Sequence, residues 1–241
     1  MTSPPAGPLL ALDTSTGVGS VALGRGGELL VERVFTTGAT ASSMLLPAID
    51  AALREAGIAR SELAGVVTTS GPGSFTGLRI GAATAKGIVH ALSLPLWAYS
   101  GLLASAAAGW GAARPVCALF DARRRDVYVA CYRFAKGIDT LLAPTALALD
   151  EVIETSRGAP EAPLFTGDGA WRHAAELEHE LPGATVLPAP LGAPRASALL
   201  ALAHAAPALG RVADPLAWEP EYVRAAGAER IAAARASAGG G

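Results

Sequence analysis

One strand-and-turn pattern occurs twice in this chain, and the repeat is the strongest constraint on its fold. The apolar run 9–12 ends in Asp13 and a Thr-Ser-Thr-Gly turn, and the apolar run 115–120 ends in Asp121 and a second turn. Short β-rich segments follow each turn, at 20–23, 29–35 and 127–134. The repeat predicts two similar lobes, each with a mixed sheet and helices outside it.

Helices and further strands alternate after each turn, as expected for an α/β protein. The further predicted strands are 65–69, 164–166 and 185–187. The predicted helices are 42–56, 76–92, 150–156, 170–181 and 195–205. We expect an N-terminal lobe at 9–110 and a C-terminal lobe at 111–224 whose final segment returns toward the first lobe. Flexible tails are expected at 1–8 and 225–241.

The segment 70–81 joins a predicted strand to a predicted helix through several glycines. Ser74 or Thr76 can cap this helix. Gly77, Gly81 and Ala85 recur every four residues, so they line one ridge of the helix, and a ridge without side chains lets another backbone approach. The ridge indicates either a close helix partner or internal packing of the helix on its sheet.

A glycine-rich loop that enters a helix can also bind phosphate, because free N–H groups and the helix dipole favour an anion. Neither G-x-x-x-x-G-K-[ST] nor G-x-G-x-x-G is present, and Lys86 lies well inside the helix. Pro72 removes one N–H donor from the loop. These features weigh against a phosphate site.

Composition excludes some classes of protein. With 51% hydrophobic residues among 241, the chain can bury a large core, and a net charge of −2 gives no overall basic field for nucleic acid. The sequence shows no membrane span or signal peptide, so we expect a cytoplasmic protein. Cys117 and Cys131 would face each other across a hairpin, but two reduced core thiols are expected there.

Five short motifs, in this order along the chain, resemble the TsaB family, also called YeaZ. They are Leu12-Asp13-Thr14-Ser15-Thr16, the segment 71–81, Asp121-Ala122-Arg123 with Val127-Tyr128, Gly167-Asp168-Gly169, and Pro220-Glu221-Tyr222-Val223-Arg224. The repeated lobe resembles the two-lobed actin-like ATPase (ribonuclease H-like) fold. One departure is Ala41-Ser42-Ser43, where many members of the family carry a His-Ser-Glu-like triplet.

The resemblance implies a non-catalytic partner of the related protein TsaD. With the ATPase TsaE, that complex transfers a threonylcarbamoyl group to N6 of adenosine 37 in tRNAs that read ANN codons (t6A modification). The resemblance implies direct contact with TsaD, TsaE within the complex, and tRNA through the complex. The predicted contact surface could also support a homodimer when TsaD is absent. No intrinsic cofactor is expected, and binding of ATP or ADP in the complex is left open.

Asp13, Ser15 and Asp121 are candidates for a vestigial nucleotide site. A working site would need small residues after the second aspartate, where this chain has Arg123, Arg124 and Arg125. We therefore interpret Asp13 as a turn-forming residue. The arginines form either a contact for tRNA phosphate or a solvated turn.

No catalytic residue and no metal site is predicted. The four histidines, His90, His173, His179 and His204, include no i, i+4 pair such as the resemblance assigns to TsaD, and no G-x-S-x-G motif occurs. Two alternatives remain, a self-sufficient actin-like ATPase or kinase and a glycoprotease-like metallohydrolase.

The first two predicted helices are the predicted partner interface, because their apolar stripes are wide. Its predicted residues are Met44, Leu45, Leu46, Ile49, Leu53, Phe75, Gly77, Leu78, Gly81, Ala82, Ala85 and Val89. The alternative is that both stripes are wholly internal.

Overall fold

The computed structural model describes residues 6–37 and 41–221. The first half of the chain contains the strands β1 (Leu9–Asp13), β2 (Val18–Arg25), β3 (Glu28–Thr36), β4 (Gly65–Gly71) and β5 (Leu96–Ser100). Its helices are α1 (Ala41–Ala56), α2 (Phe75–Leu92) and α3 (Gly101–Ala106). Every residue of β1 is buried, which explains why this central strand reads as a continuous apolar run.

The second half repeats the plan. Its strands are β6 (Val116–Asp121), β7 (Asp126–Arg133), β8 (Asp139–Ala148), β9 (Leu164–Thr166) and β10 (Thr185–Val186). Its helices are α4 (Leu149–Arg157), α5 (Asp168–Arg172), α6 (Ala174–Glu180) and α7 (Ala189–Gly192), followed by α8 (Ala196–Ala205) and α9 (Pro207–Gly210). The predicted helix at 170–181 is two helices, separated at His173.

The two sheets have the same topology. The strand order is β3-β2-β1-β4-β5 in one and β8-β7-β6-β9-β10 in the other. In each sheet the first strand pairs antiparallel with the second and parallel with the fourth. The predicted α/β fold with two mixed sheets and flanking helices is confirmed. Sequence reasoning missed β5 and β8, the edge strands that complete the pattern.

The chain divides into two compact units, and the division differs from the predicted lobes. Described residues 6–107 and 194–221 form the first unit, and Ala108–Ala193 form the second. The predicted second lobe extended to residue 224, with its final segment returning toward the first lobe, and in the structure α8 packs against β1 and β2. The Ala196 N–H donates to Ser20 Oγ at 2.8 Å, and the Ser197 N–H donates to Glu32 Oε1 at 2.9 Å.

The last described residues continue along the first unit. The Val212 N–H donates to the Leu96 carbonyl oxygen at 3.0 Å, and the Glu221 N–H donates to that of Ser70 at 2.7 Å. Between these points, Lys86 Nζ donates to the Trp218 carbonyl oxygen and pairs with Glu219. The predicted tails lie almost entirely outside the described residues.

One prediction about side chains was wrong. Cys117 in β6 and Cys131 in β7 were expected to be reduced thiols, but the structure joins them in a disulfide. The hairpin places these residues directly opposite each other, with 4.1 Å between their Cα atoms. The strand register thus brings the two residues together.

Candidate functional site

Asp13 ends β1 and holds the turn that follows it. Its Oδ1 accepts a hydrogen bond from the Ser15 N–H at 3.1 Å and another from the Thr69 hydroxyl at 2.8 Å. The side chain is fully buried, and its Oδ2 has no hydrogen-bond partner. Burial raises the pKa of the Asp13 carboxyl above its usual value. Asp13 is therefore the turn-forming residue that the sequence predicted.

The glycines that follow β4 pack against the same turn. The Ser74 N–H donates to the Ser15 carbonyl oxygen at 2.7 Å, and Thr14 Oγ1 donates to the Gly77 carbonyl oxygen at 2.7 Å. A Cβ at Gly73 would overlap the Ser15 carbonyl oxygen, and one at Gly77 would overlap that of Thr14. The glycine ridge of α2 therefore packs against this chain's own β1–β2 turn. This is the second of the two interpretations of the ridge, internal packing.

Ser74 also caps α2, since its Oγ accepts the Gly77 N–H at 3.3 Å. The N–H groups of Ser74 and Gly77 are therefore used by the chain itself, and carbonyl oxygens from the β1–β2 turn stand at the helix N-terminus. A carbonyl oxygen repels a phosphate, and the buried Asp13 carboxyl cannot reach a metal bound outside. The first unit's residues do not fit the nucleotide that an actin-like fold implies.

The second unit repeats the aspartate turn at the end of β6. Asp121 Oδ1 accepts the Arg123 N–H at 3.0 Å, which is the same i, i+2 bond that Asp13 makes with Ser15. Arg123, Arg124 and Arg125 then adopt φ values of 68°, 52° and 65°, a left-handed run that is rare outside glycine. Two similar turns thus carry different side chains.

Arg125 is tied to its own unit. Its guanidinium donates to Asp150 and Glu176, each at 2.7 Å, and this contact lowers the pKa of the Glu176 carboxyl. Arg172 pairs in the same way with Asp121. These acidic neighbours offset much of the positive charge of the turn. A contact between tRNA and Arg123 or Arg124 stays a prediction.

Metal ligation was not predicted, and the four histidines lie in separate places. His90 is in α2, His173 stands between α5 and α6, His179 is in α6, and His204 is in α8. Among residues 6–37 and 41–221, no group of three or more His, Cys, Asp or Glu side chains is arranged to hold a metal ion.

The predicted interface residues divide into two groups. Three are exposed, namely Met44, Leu46 and Phe75. Nine are buried in the first unit: Leu45, Ile49, Leu53, Gly77, Leu78, Gly81, Ala82, Ala85 and Val89. Of these nine, Ile49 and Leu53 also line a groove between the two helices. The burial has a simple reason, since α1 and α2 both lie on the sheet and their most regular apolar stripes face its strands. The part of these two helices that contacts a partner stays a prediction.

A groove of about 630 Å³, lined mostly by apolar side chains, lies between α1 and α2 and reaches inward to buried residues such as Leu10 and Leu53. From here on we call it the α1/α2 groove. Its outer lining includes Leu46, Pro47 and Asp50 from α1 and Gly87, Ile88, Ala91 and Leu92 from α2. A Cβ at Gly87 would meet nothing within 4 Å. Sequence reasoning missed these α2 residues. Gly87 could have indicated them, because it lies inside the helix but outside the four-residue spacing of Gly77 and Gly81.

Comparisons with known proteins agree with this architecture. A family model described as "TsaD: tRNA N6-adenosine threonylcarbamoyltransferase" matches residues 38–186. The "tRNA threonylcarbamoyladenosine biosynthesis protein TsaB" of Bacillus subtilis is 30% identical over 174 residues, which is 72% of this chain and 76% of that protein. The chain belongs to the TsaB family.

Solved structures support the same assignment. YeaZ from Pseudomonas aeruginosa superimposes with a TM-score of 0.74 at 31% identity, covering 90% of this chain and 100% of that one. The ethanolamine utilization protein EutJ from Carboxydothermus hydrogenoformans shares the fold alone, with a TM-score of 0.50 at 13% identity, covering 83% and 91% of the two chains. Across the described ranges of this TsaB-family chain, every helix is too short or too polar to cross a bilayer.

The two kinds of glycine in α2 predict opposite effects of one substitution. Gly87→Ala should raise the free energy of unfolding by about 0.5–1 kcal/mol, because alanine restricts the unfolded chain and meets open space. Gly77→Ala should lower it by about 1–3 kcal/mol, because the new methyl group must displace the Thr14 carbonyl. Urea unfolding of both variants checks this. Equal effects at the two positions would contradict the assigned packing.

The buried Asp13 carboxyl predicts a pH-dependent difference between the wild type and Asp13→Asn. Because burial raises the pKa of Asp13 in the folded state, the stability it contributes is greatest below about pH 4 and falls as pH rises toward the raised pKa. Asparagine does not titrate. As pH rises, the free energy of unfolding of the variant should therefore increase relative to that of the wild type, by up to about 1.4 kcal/mol per pH unit. Urea unfolding between pH 4 and 7 measures the trend, and a constant difference would refute it.

Proposed function

We propose that this chain is a non-catalytic partner of TsaD in the t6A modification of tRNA. The observation that carries the proposal is the α1/α2 groove, an exposed apolar surface on a chain whose relative is named a threonylcarbamoyladenosine biosynthesis protein. TsaD would transfer the threonylcarbamoyl group to N6 of adenosine 37 in tRNAs that read ANN codons, and this chain would stabilise or activate it in a cytoplasmic complex.

The surface around the groove has the properties of a contact face. Leu46 lines the groove and is 59% exposed. Most of the other residues that line the groove are apolar as well. A contiguous exposed apolar surface marks an interaction site more often than single exposed residues do. Met44 in α1 and Phe75 at the start of α2 are also exposed, at 43% and 54%. Gly87 adds space for a close approach, because it carries no side chain and lies open. A pair of helices from TsaD would pack against the α1/α2 groove, so that the contact would contain four helices.

The same face would support a homodimer when TsaD is absent. A second copy of the chain could present its own α1 and α2 to the groove, and the two assemblies would then compete. TsaE and tRNA would join through the complex.

The non-catalytic role is supported by the closed loop beside Asp13. A self-sufficient actin-like ATPase would need that aspartate and the helix N-terminus to face a metal nucleotide, and both are used internally. ATP or ADP in the complex would then be held by groups of the other subunits.

One observation favours a second candidate. The TsaD family model matches residues 38–186, which would suit a transferase that acts by itself. The paired histidines that such an enzyme would use for its metal are absent from the sequence, and the histidines present lie in separate places. The partner role is therefore the better supported of the two, and the same absence weighs against a metallohydrolase.

Gly87→Arg tests the interface, and it is a better position than Gly81, which faces Thr14. An arginine there should weaken binding to TsaD by roughly a hundredfold, because it places a long charged side chain at the centre of an apolar contact. The measurement is titration of purified TsaD, with circular dichroism to confirm folding. Gly137→Arg is the matched control, since a Cβ at Gly137 also meets open space. Wild-type affinity of a folded Gly87→Arg variant would rule out this face.

Reconstitution tests the function itself. Purified TsaD, TsaE, tRNA and the threonylcarbamoyl donor are combined with and without this chain, and modified adenosine is scored by mass spectrometry. Transfer should fall strongly when the chain is omitted, and the chain without TsaD should give none. Unchanged transfer on omission would remove the proposed role, and transfer without TsaD would favour the transferase.

A further inference from the structure

The disulfide between β6 and β7 lies beside the least regular part of the second sheet. In the β7–β8 ladder the register shifts on both sides of Cys131, between Val129 and Cys131 and again between Cys131 and Tyr132. Within the described part of the chain, β8 is one of the two edge strands of that sheet and pairs with β7 alone. Pairing between β7 and β8 is thus weakest where the bond holds β7 to β6.

The two cysteines differ in burial. Cys117 is buried in the core of the second unit, among neighbours such as Leu119 and Phe165, and Cys131 is half-buried at the margin of that core. Cys131 is therefore the less enclosed of the two residues.

The strand pairing keeps the two cysteines together whether or not they are bonded. β6 and β7 pair continuously from Val116 with Tyr132 to Asp121 with Val127, so the register at Cys117 and Cys131 does not depend on the disulfide. A pair that the ladder holds directly opposite each other, with one member only half-buried, suits reversible thiol–disulfide chemistry.

We propose that Cys117 and Cys131 are a reversible redox pair whose oxidation state sets the local stability of the β7–β8 edge. In oxidation, the two thiols lose two protons and two electrons to a small-molecule disulfide, which is released as two thiols. In reduction, a small thiolate attacks Cys131 Sγ and Cys117 leaves as a thiolate. A second small thiolate then attacks the small-molecule sulfur of the mixed disulfide, so that Cys131 leaves as a thiolate and a small-molecule disulfide is released. The oxidised form closes a loop between residues 14 apart and restrains the β7 side of the irregular ladder.

Hydrogen exchange on the full chain tests the proposal. Protein held in oxidised glutathione and protein held in reduced glutathione are compared peptide by peptide. Reduction should speed exchange of β7 and β8 amides by roughly tenfold or more, while β1 to β5 stay unchanged. The melting temperature should fall by roughly 5 °C on reduction.

Cys131→Ala is the control variant, because it cannot form the bond and alters the half-buried position rather than the core. Its exchange should not respond to glutathione. Identical exchange of the wild type in both conditions, or an equal response of the variant, would overturn the proposal. Mass spectrometry after thiol alkylation decides reversibility: a bond that survives reduced glutathione in the folded protein is a permanent crosslink, which would also overturn it.

Discussion

The contact between the β1–β2 turn and the first turn of α2 is the interaction on which the first unit depends. Asp13 folds the turn, the Ser15 carbonyl oxygen accepts the Ser74 N–H, and Gly77 lets the Thr14 backbone approach. This contact sets the rotation of α2 about its axis. It therefore decides that Gly77 and Gly81 face inward and that Gly87 faces outward. The N–H groups of Ser74 and Gly77, which could otherwise bind a phosphate, instead hold the N-terminus of α2 in place.

The second unit shows that the fold tolerates different uses of the same turn. Asp121 makes the bond to Arg123 that Asp13 makes to Ser15, and both precede an antiparallel strand. In the first unit the turn is buried under a glycine loop, whereas in the second it is exposed and carries arginines with acidic neighbours. The repeated topology fixes where the turn lies, and the side chains decide what it contacts.

Sequence patterns located most of the fold because strands that end in aspartate and turn residues are local signals. β8 was missed because Pro144 interrupts it, and proline is tolerated there only since β8 is an edge strand. The interface residues could not be separated from the core, because α1 and α2 carry apolar residues on both faces. Which face is buried depends on the close glycine contact, which is tertiary. The disulfide was not predicted because two cysteines make no disulfide framework, although the strand register places Cys117 and Cys131 opposite each other.

The central claim has two parts. Backbone groups of this TsaB-family chain occupy the N-terminus of α2, where a phosphate would otherwise bind, and the chain acts through the α1/α2 groove. Isothermal titration of the isolated chain with MgATP tests it most directly. The account predicts no saturable binding, because Thr14 and Ser15 occupy the mouth of α2 and Asp13 is buried. Saturable one-to-one binding of MgATP that is lost in Asp13→Asn would contradict it.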